Sequence, residues 1–277
     1  MIRFSTAALA ATAFCGLTAA AAQDAGQNAS DEQGFALGWS ASANVAFVSD
    51  YRFRGVSFSN GEFAVQGGFD LAHESGFYVG TWASSIEEYG ASVTAQIVND
   101  VAIPVFSSGA ENEVDLYAGY GFSAGALSYD LGVLHYMYPG SEDTDYTELY
   151  GSVSGAAGAA GLTGGIAWVP DQDNAGGDNF YLYADAGLPL GETGLTAAFH
   201  LGYTDGAFVF SGDDQFDWSA GLSATVKGLD WSATYVATDA DIDFGGQGLP
   251  PERVDVLEEA ADDLYGHTIV FAVSKSL

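Results

Sequence analysis

The last thirteen residues of the chain, 265–277, alternate between large, mostly apolar side chains and small, mostly polar ones. The large set is Tyr265, His267, Ile269, Phe271, Val273, Lys275 and Leu277. Because successive side chains of an extended strand point to opposite faces, this segment predicts a strand with one apolar and one polar face. A free strand edge leaves a row of unpaired N–H and C=O groups. We therefore expect this strand to pair on both sides and to close a sheet into a transmembrane β-barrel.

The same alternation recurs along the chain and predicts eleven further strands. They cover residues 35–47, 63–71, 77–85, 114–122, 127–133, 146–154, 162–169, 180–188, 195–203, 216–226 and 229–237. Residues 92–106 have weaker strand character and stay unassigned. The expected fold class is all-β: an antiparallel, up-and-down transmembrane β-barrel over residues 35–277, with about twelve strands and with ten or fourteen as the alternatives.

The predicted connections alternate in length. Those after the even-numbered strands are short, whereas those after the odd-numbered strands are longer and acidic, such as SEDTD at 141–145 and DQDNAGGD at 171–178. Short turns at one rim and long loops at the other are typical of bacterial outer-membrane barrels. With an even number of strands, both termini would lie in the periplasm.

A soluble barrel or sandwich would alternate too, with its apolar face turned inward. The polar faces argue against that interpretation. A water-facing surface usually carries Lys, Arg, Glu and Asp at roughly a quarter to a third of its positions. Here the polar faces carry mostly Ser, Gly, Thr, Asp and Tyr, and small side chains of this kind suit a crowded lumen.

The first 22 residues predict a secretory signal peptide, because Arg3 precedes an alanine-rich apolar stretch and small residues precede Gln23. The mature chain would then begin with a polar periplasmic tail, residues 23–34. Cys15, the only cysteine, lies in the removed segment, so we expect no disulfide in the mature chain. A secretory signal peptide and a transmembrane barrel together predict that the protein lies in the outer membrane of a Gram-negative bacterium.

The charge balance is strongly acidic. Lys and Arg number 6 against 37 Asp and Glu, which gives a formal net charge of −31. Because such a chain repels phosphate backbones, nucleic-acid binding is excluded from the expected functions. No stretch after Ala22 has the roughly 18 uncharged apolar residues that a membrane-spanning helix needs.

Several segments resemble a known family. They are ANVAFVSDYRFRGVS at 43–57, QGGFDLAHESGFYVGTWAS at 66–84, DLYAGYGF at 115–122, MYPG at 137–140 and the terminal VSKSL. With these segments the chain resembles, almost from end to end, the TorF family of proteobacterial porins, and SDYRFRG is fairly specific. The resemblance implies an outer-membrane β-barrel that acts as a diffusion channel. Residues 92–112 and 239–263 are longer than we would expect for that family.

Three charged residues, Asp50, Arg52 and Arg54, continue the polar face of the first predicted strand. One interpretation is a pore constriction opposite acidic loop residues, because rings of charge set ion preference in other pores. The other is a salt-bridge cluster at the rim that holds the first loop in place, since buried charges are commonly paired.

Aromatic residues form two predicted sets. Five tyrosines should point inward and either form a track for a solute such as a sugar or fill a narrow lumen: Tyr117, Tyr136, Tyr150, Tyr181 and Tyr183. Four tryptophans lie toward strand ends, where aromatic girdles of membrane proteins lie: Trp39, Trp168, Trp218 and Trp231.

The acidic run 239–263 has three interpretations: a solvated loop, a plug in the mouth of the barrel, or a site for divalent cations that bridge to lipopolysaccharide phosphates. Asp239, Asp241 and Asp243 have the alternate spacing of a calcium loop, but Phe244 stands where that loop needs glycine. No metal site is therefore predicted.

No enzyme is predicted either. GFSAG at 121–125 matches the nucleophile-elbow pattern, but that pattern requires a helix after the turn, and here another strand follows. The four histidines have no metal-ligand or triad spacing. We therefore expect neither catalytic residues nor a cofactor.

Together these features predict a porin-like channel for passive diffusion of small hydrophilic solutes, with a mild preference for cations. Its other partners would be outer-membrane lipid, lipopolysaccharide and the barrel-assembly machinery, which would bind the C-terminal strand. The alternative is a closed structural or adhesive barrel whose acidic external loops bind a partner. The sequence leaves the oligomeric state open.

Overall fold

The computed structural model describes residues 37–89, 92–98, 101–107, 109–209, 212, 214–240, 261 and 263–277. Its strands, in chain order, are β1 (Trp39–Val48), β2 (Arg52–Phe53), β3 (Val56–Ser57), β4 (Ala64–His73), β5 (Phe77–Tyr89), β6 (Ser92–Val98), β7 (Val101–Ser107), β8 (Ala110–Ala124), β9 (Leu127–Met137), β10 (Tyr146–Ala157), β11 (Ala160–Gln172), β12 (Gly177–Pro189), β13 (Thr196–Gly206), β14 (Gln215–Val226), β15 (Leu229–Thr238) and β16 (Thr268–Ser276). Within these ranges no helix is long and apolar enough to cross a membrane.

Twelve of these strands form one closed antiparallel barrel. Each pairs with its neighbours along the chain, and β1 pairs with both β4 and β16, which closes the ring. The pairs β2–β3 and β6–β7 are separate two-stranded sheets. The prediction of an antiparallel, up-and-down barrel of twelve strands is confirmed.

The alternation in the sequence divides the wall into two faces. Large apolar side chains are exposed around the outside of the ring; Phe271 on β16 is 60 % exposed and Leu201 on β13 is 53 % exposed. The adjacent residues Val270 and Gly202 are buried, because their side of the strand faces the interior. An apolar outer belt around a polar interior is the arrangement of a membrane-spanning barrel.

Tyrosine rings and glycines pair across neighbouring strands inside the barrel. Tyr117 lies over Gly80, where an added Cβ would come within 2.5 Å of the ring. The other pairs are Tyr150 with Gly132, Tyr183 with Gly165, Tyr181 with Gly202 and Tyr78 with Gly119. Because glycine leaves the space that each ring fills, large aromatic residues fit against the inner wall.

The structure corrects the predicted course of the chain after the first strand. β1 ends at Val48, so Asp50, Arg52 and Arg54 do not continue the face of that strand. They lie in a hairpin formed by β2 and β3. The chain reverses there because Arg54 and Gly55 both adopt left-handed backbone angles.

Two other boundaries differ from the prediction. The unassigned segment 92–106 contributes β6 and β7, which pair with each other rather than with the barrel. The connection after β11 is only four residues, 173–176, because β11 and β12 continue through a register shift between Val169 and Gln172.

Some predictions fall on residues that the structure does not describe. These are the signal peptide at 1–22, the tail at 23–34 and residues 241–260 of the acidic run.

Candidate functional site

The candidate site is built on residues 50–57, which we call the inner hairpin. Its strands pair through Arg52 with Ser57 and Phe53 with Val56. At the turn, Arg54 has a φ of 49° and Gly55 a φ of 85°, the backbone geometry of a two-residue turn that matches the twist of paired strands. All eight residues are buried, so the hairpin is enclosed by the barrel and does not project from it.

Asp50 organises the base of the inner hairpin. Its carboxylate accepts hydrogen bonds from Ser57 Oγ at 2.6 Å, from Ser59 Oγ at 3.1 Å and from Arg52 Nε. The Arg52 guanidinium also donates to four backbone carbonyls at 2.9–3.2 Å, those of Gly55, Asp263, Leu264 and Gly266. Arg52 therefore ties the hairpin to the segment that precedes β16.

Arg54 reaches the opposite wall from the tip of the inner hairpin. Its Nη2 donates to Oε2 of Glu148 on β10, and both side chains are enclosed. The guanidinium carbon lies 4.2 Å from the ring centroid of Tyr181 on β12 and 4.7 Å from that of Phe53. A carboxylate and two aromatic faces thus surround this cation, which is the usual setting of an arginine in a recognition site.

Gly55 brings the tip against two further strands. A Cβ added at Gly55 would lie 2.8 Å from the Cβ of Thr238 on β15 and 3.0 Å from the Cβ of Asp217 on β14. Glycine is therefore required by close approach as well as by its φ. With its base beside β1 and its tip at β10, β12, β14 and β15, the inner hairpin crosses the lumen.

Two buried carboxylates beside the inner hairpin have unused acceptor atoms. Tyr51 donates to Glu113 Oε1 at 2.6 Å, but Glu113 Oε2 and both oxygens of Asp115 have no hydrogen-bond partner among the described residues. Both acidic residues are 0 % exposed. Asp115 is the register partner of Tyr136, whose hydroxyl donates to Glu148 at 3.2 Å. Acidic side chains therefore outnumber basic ones on this part of the wall.

The structure places the five tyrosines of the sequence analysis inside the barrel: Tyr117, Tyr136, Tyr150, Tyr181 and Tyr183. Tyr136 and Tyr181 flank the tip of the inner hairpin, since the Tyr136 ring lies 6.0 Å from that of Phe53. Tyr117 donates to the buried carboxylate of Asp70. These contacts describe tyrosines that pack and hydrogen-bond, and the aromatic track for a solute stays a prediction.

The four tryptophans lie toward the two ends of the barrel. Trp39 is the first residue of β1 and Trp231 the third of β15, so both lie near the short-turn end. Trp168 and Trp218 lie near the long-loop ends of β11 and β14. Trp168, Trp218 and Trp231 are exposed on the outer face, where a girdle would contact the bilayer interface.

The sequence analysis missed the residues that receive the hairpin, above all Glu148 and Asp217. Each is an acidic residue at the third position of its strand, and its side chain is buried inside the barrel. It also missed the setting of His200, which lies 2.6 Å from Asp185, 3.1 Å from Asp217 and 2.8 Å from the Tyr181 hydroxyl. A charged residue on a lumen-facing position is the signal that identifies such partners.

In the part of the chain that the structure describes, no group of three or more His, Cys, Asp or Glu side chains is placed to hold a metal ion.

Residues 32–277 match a family model described as a bacterial protein of unknown function, Gcw_chp. No curated protein matches the sequence.

Several solved structures resemble the barrel. The NanC porin aligns with a TM-score of 0.47 and 9 % identity over 85 % of this chain and 98 % of its own. Omp33, an outer membrane protein of Acinetobacter baumannii, aligns with a TM-score of 0.41 and 9 % identity over 88 % of this chain and 100 % of its own. An anion-selective porin from Comamonas acidovorans aligns with a TM-score of 0.35 and 12 % identity over 86 % of this chain and 98 % of its own. Similarity at this level carries no conclusion about the activity of this chain.

Proposed function

The chain belongs to the Gcw_chp family of bacterial proteins of unknown function, and we propose that it is an outer-membrane channel for passive diffusion of small hydrophilic solutes. The proposal rests on one observation: a closed ring of twelve strands carries apolar side chains outside and polar side chains inside. Each unpaired backbone N–H or C=O group in the hydrocarbon region of a membrane costs roughly several kcal/mol. A closed barrel has no free strand edge, so it is the only form of sheet that can span the membrane.

The proposal includes the finer assignments that the sequence suggests. The resemblance to TorF porins, the signal peptide and the outer membrane of a Gram-negative bacterium all agree with such a barrel. We include the C-terminal strand as the segment that the assembly machinery binds, and lipid with lipopolysaccharide as the surroundings of the outer face.

We also propose a mild preference for cations. Inward-facing carboxylates of the described residues include Asp70, Asp115 and Asp130, whereas Arg52 and Arg54 of the inner hairpin are already paired with Asp50 and Glu148. A lumen with fixed negative charge lowers the energy of a passing cation. In a bilayer with a tenfold potassium chloride gradient, the reversal potential should have the sign of cation selectivity. The opposite sign would contradict this preference.

One observation favours the alternative, a closed structural or adhesive barrel. Asp50, Arg52 and Arg54 are 5 %, 6 % and 7 % exposed, so the inner hairpin fills its part of the lumen in the described conformation. The constriction interpretation of these three residues then requires that the hairpin moves or that solutes pass beside it.

Single-channel recording of the refolded mature chain, residues 23–277, separates the two functions. We expect discrete conductance steps in planar bilayers and swelling of liposomes in solutions of small sugars. Heat-modifiable migration on a gel would first establish that the barrel is folded. A folded barrel with neither conductance nor swelling would favour the closed alternative.

A further inference from the structure

We propose that the wall around the Arg54 side chain is a binding site for the guanidinium group of a small solute, and that Arg54 occupies it as a tethered competitor. The inference deepens the proposed channel function, because it names the solute class that the lumen would recognise. The site itself is defined by residues of β8, β10 and β12 and by the tip of the inner hairpin.

A guanidinium, that of Arg54, already lies against this wall. Glu148 accepts a hydrogen bond from Arg54 Nη2, and the ring of Tyr181 lies 4.2 Å from the guanidinium carbon. Phe53 covers the group at 4.7 Å. Glu148 and Tyr181 belong to the barrel wall, so a free guanidinium could make the same contacts after the hairpin tip withdrew. The planar group stacks on aromatic faces in a way that an ammonium does not.

Arg54 leaves some polar atoms of the site without hydrogen bonds. Arg54 Nη1 has no hydrogen-bond partner among the described residues, and neither has either oxygen of Asp115. Asp115 is fully buried and lies beside Tyr136, which bonds Glu148. Unpaired buried donors and acceptors cost free energy. A solute that is free to reorient can use both carboxylates, whereas Arg54 is held by the hairpin.

Metal ions and anions fit this wall less well than an organic cation does. The described carboxylates do not converge on a point as metal ligands would. The excess of carboxylates over positive groups disfavours an anion. A planar monovalent organic cation fits the carboxylate of Glu148 and the aromatic face of Tyr181, the two groups of the wall that already hold a guanidinium. Binding of such a solute would displace Arg54 and release the tip of the inner hairpin, so recognition and opening would be coupled.

Ligand-observed NMR titration of the refolded protein in detergent tests the site without requiring conductance. The probes are methylguanidinium, methylammonium and urea at constant ionic strength. Arg54→Ala removes the tethered competitor, so methylguanidinium should bind this variant at least tenfold more tightly than the wild type. Methylammonium should bind at least tenfold more weakly than methylguanidinium, and urea should not bind.

Two double variants locate the site. Arg54→Ala with Glu148→Gln should lose the gain in affinity, whereas Arg54→Ala with Asp70→Asn, which removes a lumen carboxylate elsewhere, should keep it. Arg54→Lys retains a smaller tethered cation and should give an intermediate affinity, which provides a second test if the alanine variant does not fold. Equal binding by wild type, Arg54→Ala and Arg54→Lys, or a gain that survives Glu148→Gln, would overturn the site. Binding as expected without conductance would leave the site intact and refute only the channel.

Discussion

Arg54 and Glu148 form an ion pair whose side chains are 6 % and 5 % exposed. A buried charge is strongly destabilising when its partner is removed, whereas replacing both members by uncharged residues of similar size is often tolerated. The pair therefore contributes little net stability, but removal of either side chain alone leaves the other as an unpaired buried charge.

Arg54→Met should destabilise the folded barrel by about 3–5 kcal/mol, because it leaves Glu148 buried without a cation. The double variant Arg54→Met with Glu148→Gln should recover most of that loss. Urea unfolding in lipid vesicles, followed by tryptophan fluorescence, measures both values. Additive losses in the double variant would mean that the two side chains do not interact.

The inward tyrosines were predictable from the sequence, because a period of two assigns every strand residue to a face. Glu148 as the partner of Arg54 was not. The two residues are 94 positions apart, and their contact depends on ring closure and on the direction in which a loop folds. Neither leaves a local pattern in the sequence.

At the scale of elements, the inner hairpin is the part on which the proposed solute site depends. It is held at its base by Asp50 and Arg52 and at its tip by Arg54 and Gly55. Sequence analysis placed its charged residues on the first strand, because the alternation continues through Arg54. The Arg54–Gly55 turn lacks the Asn-Gly or Asp-Gly pair that identifies most hairpins of this type.

Gly55→Ala should displace the tip of the inner hairpin from β14 and β15. The left-handed backbone costs an alanine about 1–2 kcal/mol, and its Cβ would also collide with Thr238. Trypsin should then cut the folded barrel after Arg52 or Arg54, which mass spectrometry of the fragments detects. Gly125→Ala is the matched control, since its φ is 66° but no atom lies within 4 Å of an added Cβ. Resistance of both variants to cleavage would show that the tip tolerates a side chain.

The apolar residues on the outer face of the strands are expected to contact lipid, and a substitution there tests this. Leu201 lies at the middle of β13 and is 53 % exposed. Leu201→Arg should lower the free energy of unfolding in lipid by about 2–4 kcal/mol, as expected for a cation at the bilayer midplane. Glu192→Arg, in the turn between β12 and β13, should change it little. A tolerated arginine at 201 would argue against lipid contact there.

At the scale of the whole molecule, closure depends on the pair β1–β16. It has five register partners, from Asn44 with Ser276 to Val48 with Ala272, whereas β1 and β4 share ten. The alternation of the sequence predicted closure but could not give this register, because a slip of two residues keeps every side chain on its face.

Cysteines at Ala46 and Ser274, which are register partners, should form a disulfide in the folded mature chain. The Cα atoms of facing strand residues lie within disulfide range, and Cys15 is the only native cysteine. Mobility on a non-reducing gel detects the link. Cysteines at Ala46 and Val270 share the inner face but not the register, so they should stay reduced. The reverse result would mean a different closing register.

The position of the inner hairpin between the first two strands of the ring implies an order of assembly. The inner hairpin precedes β4 in the sequence, but the residues that contact its tip belong to β10, β12, β14 and β15. These contacts can form only after most strands of the barrel have paired. During biogenesis Arg54 therefore has no ion-pair partner until β10 has formed, whereas Arg52 can pair with Asp50 from the start.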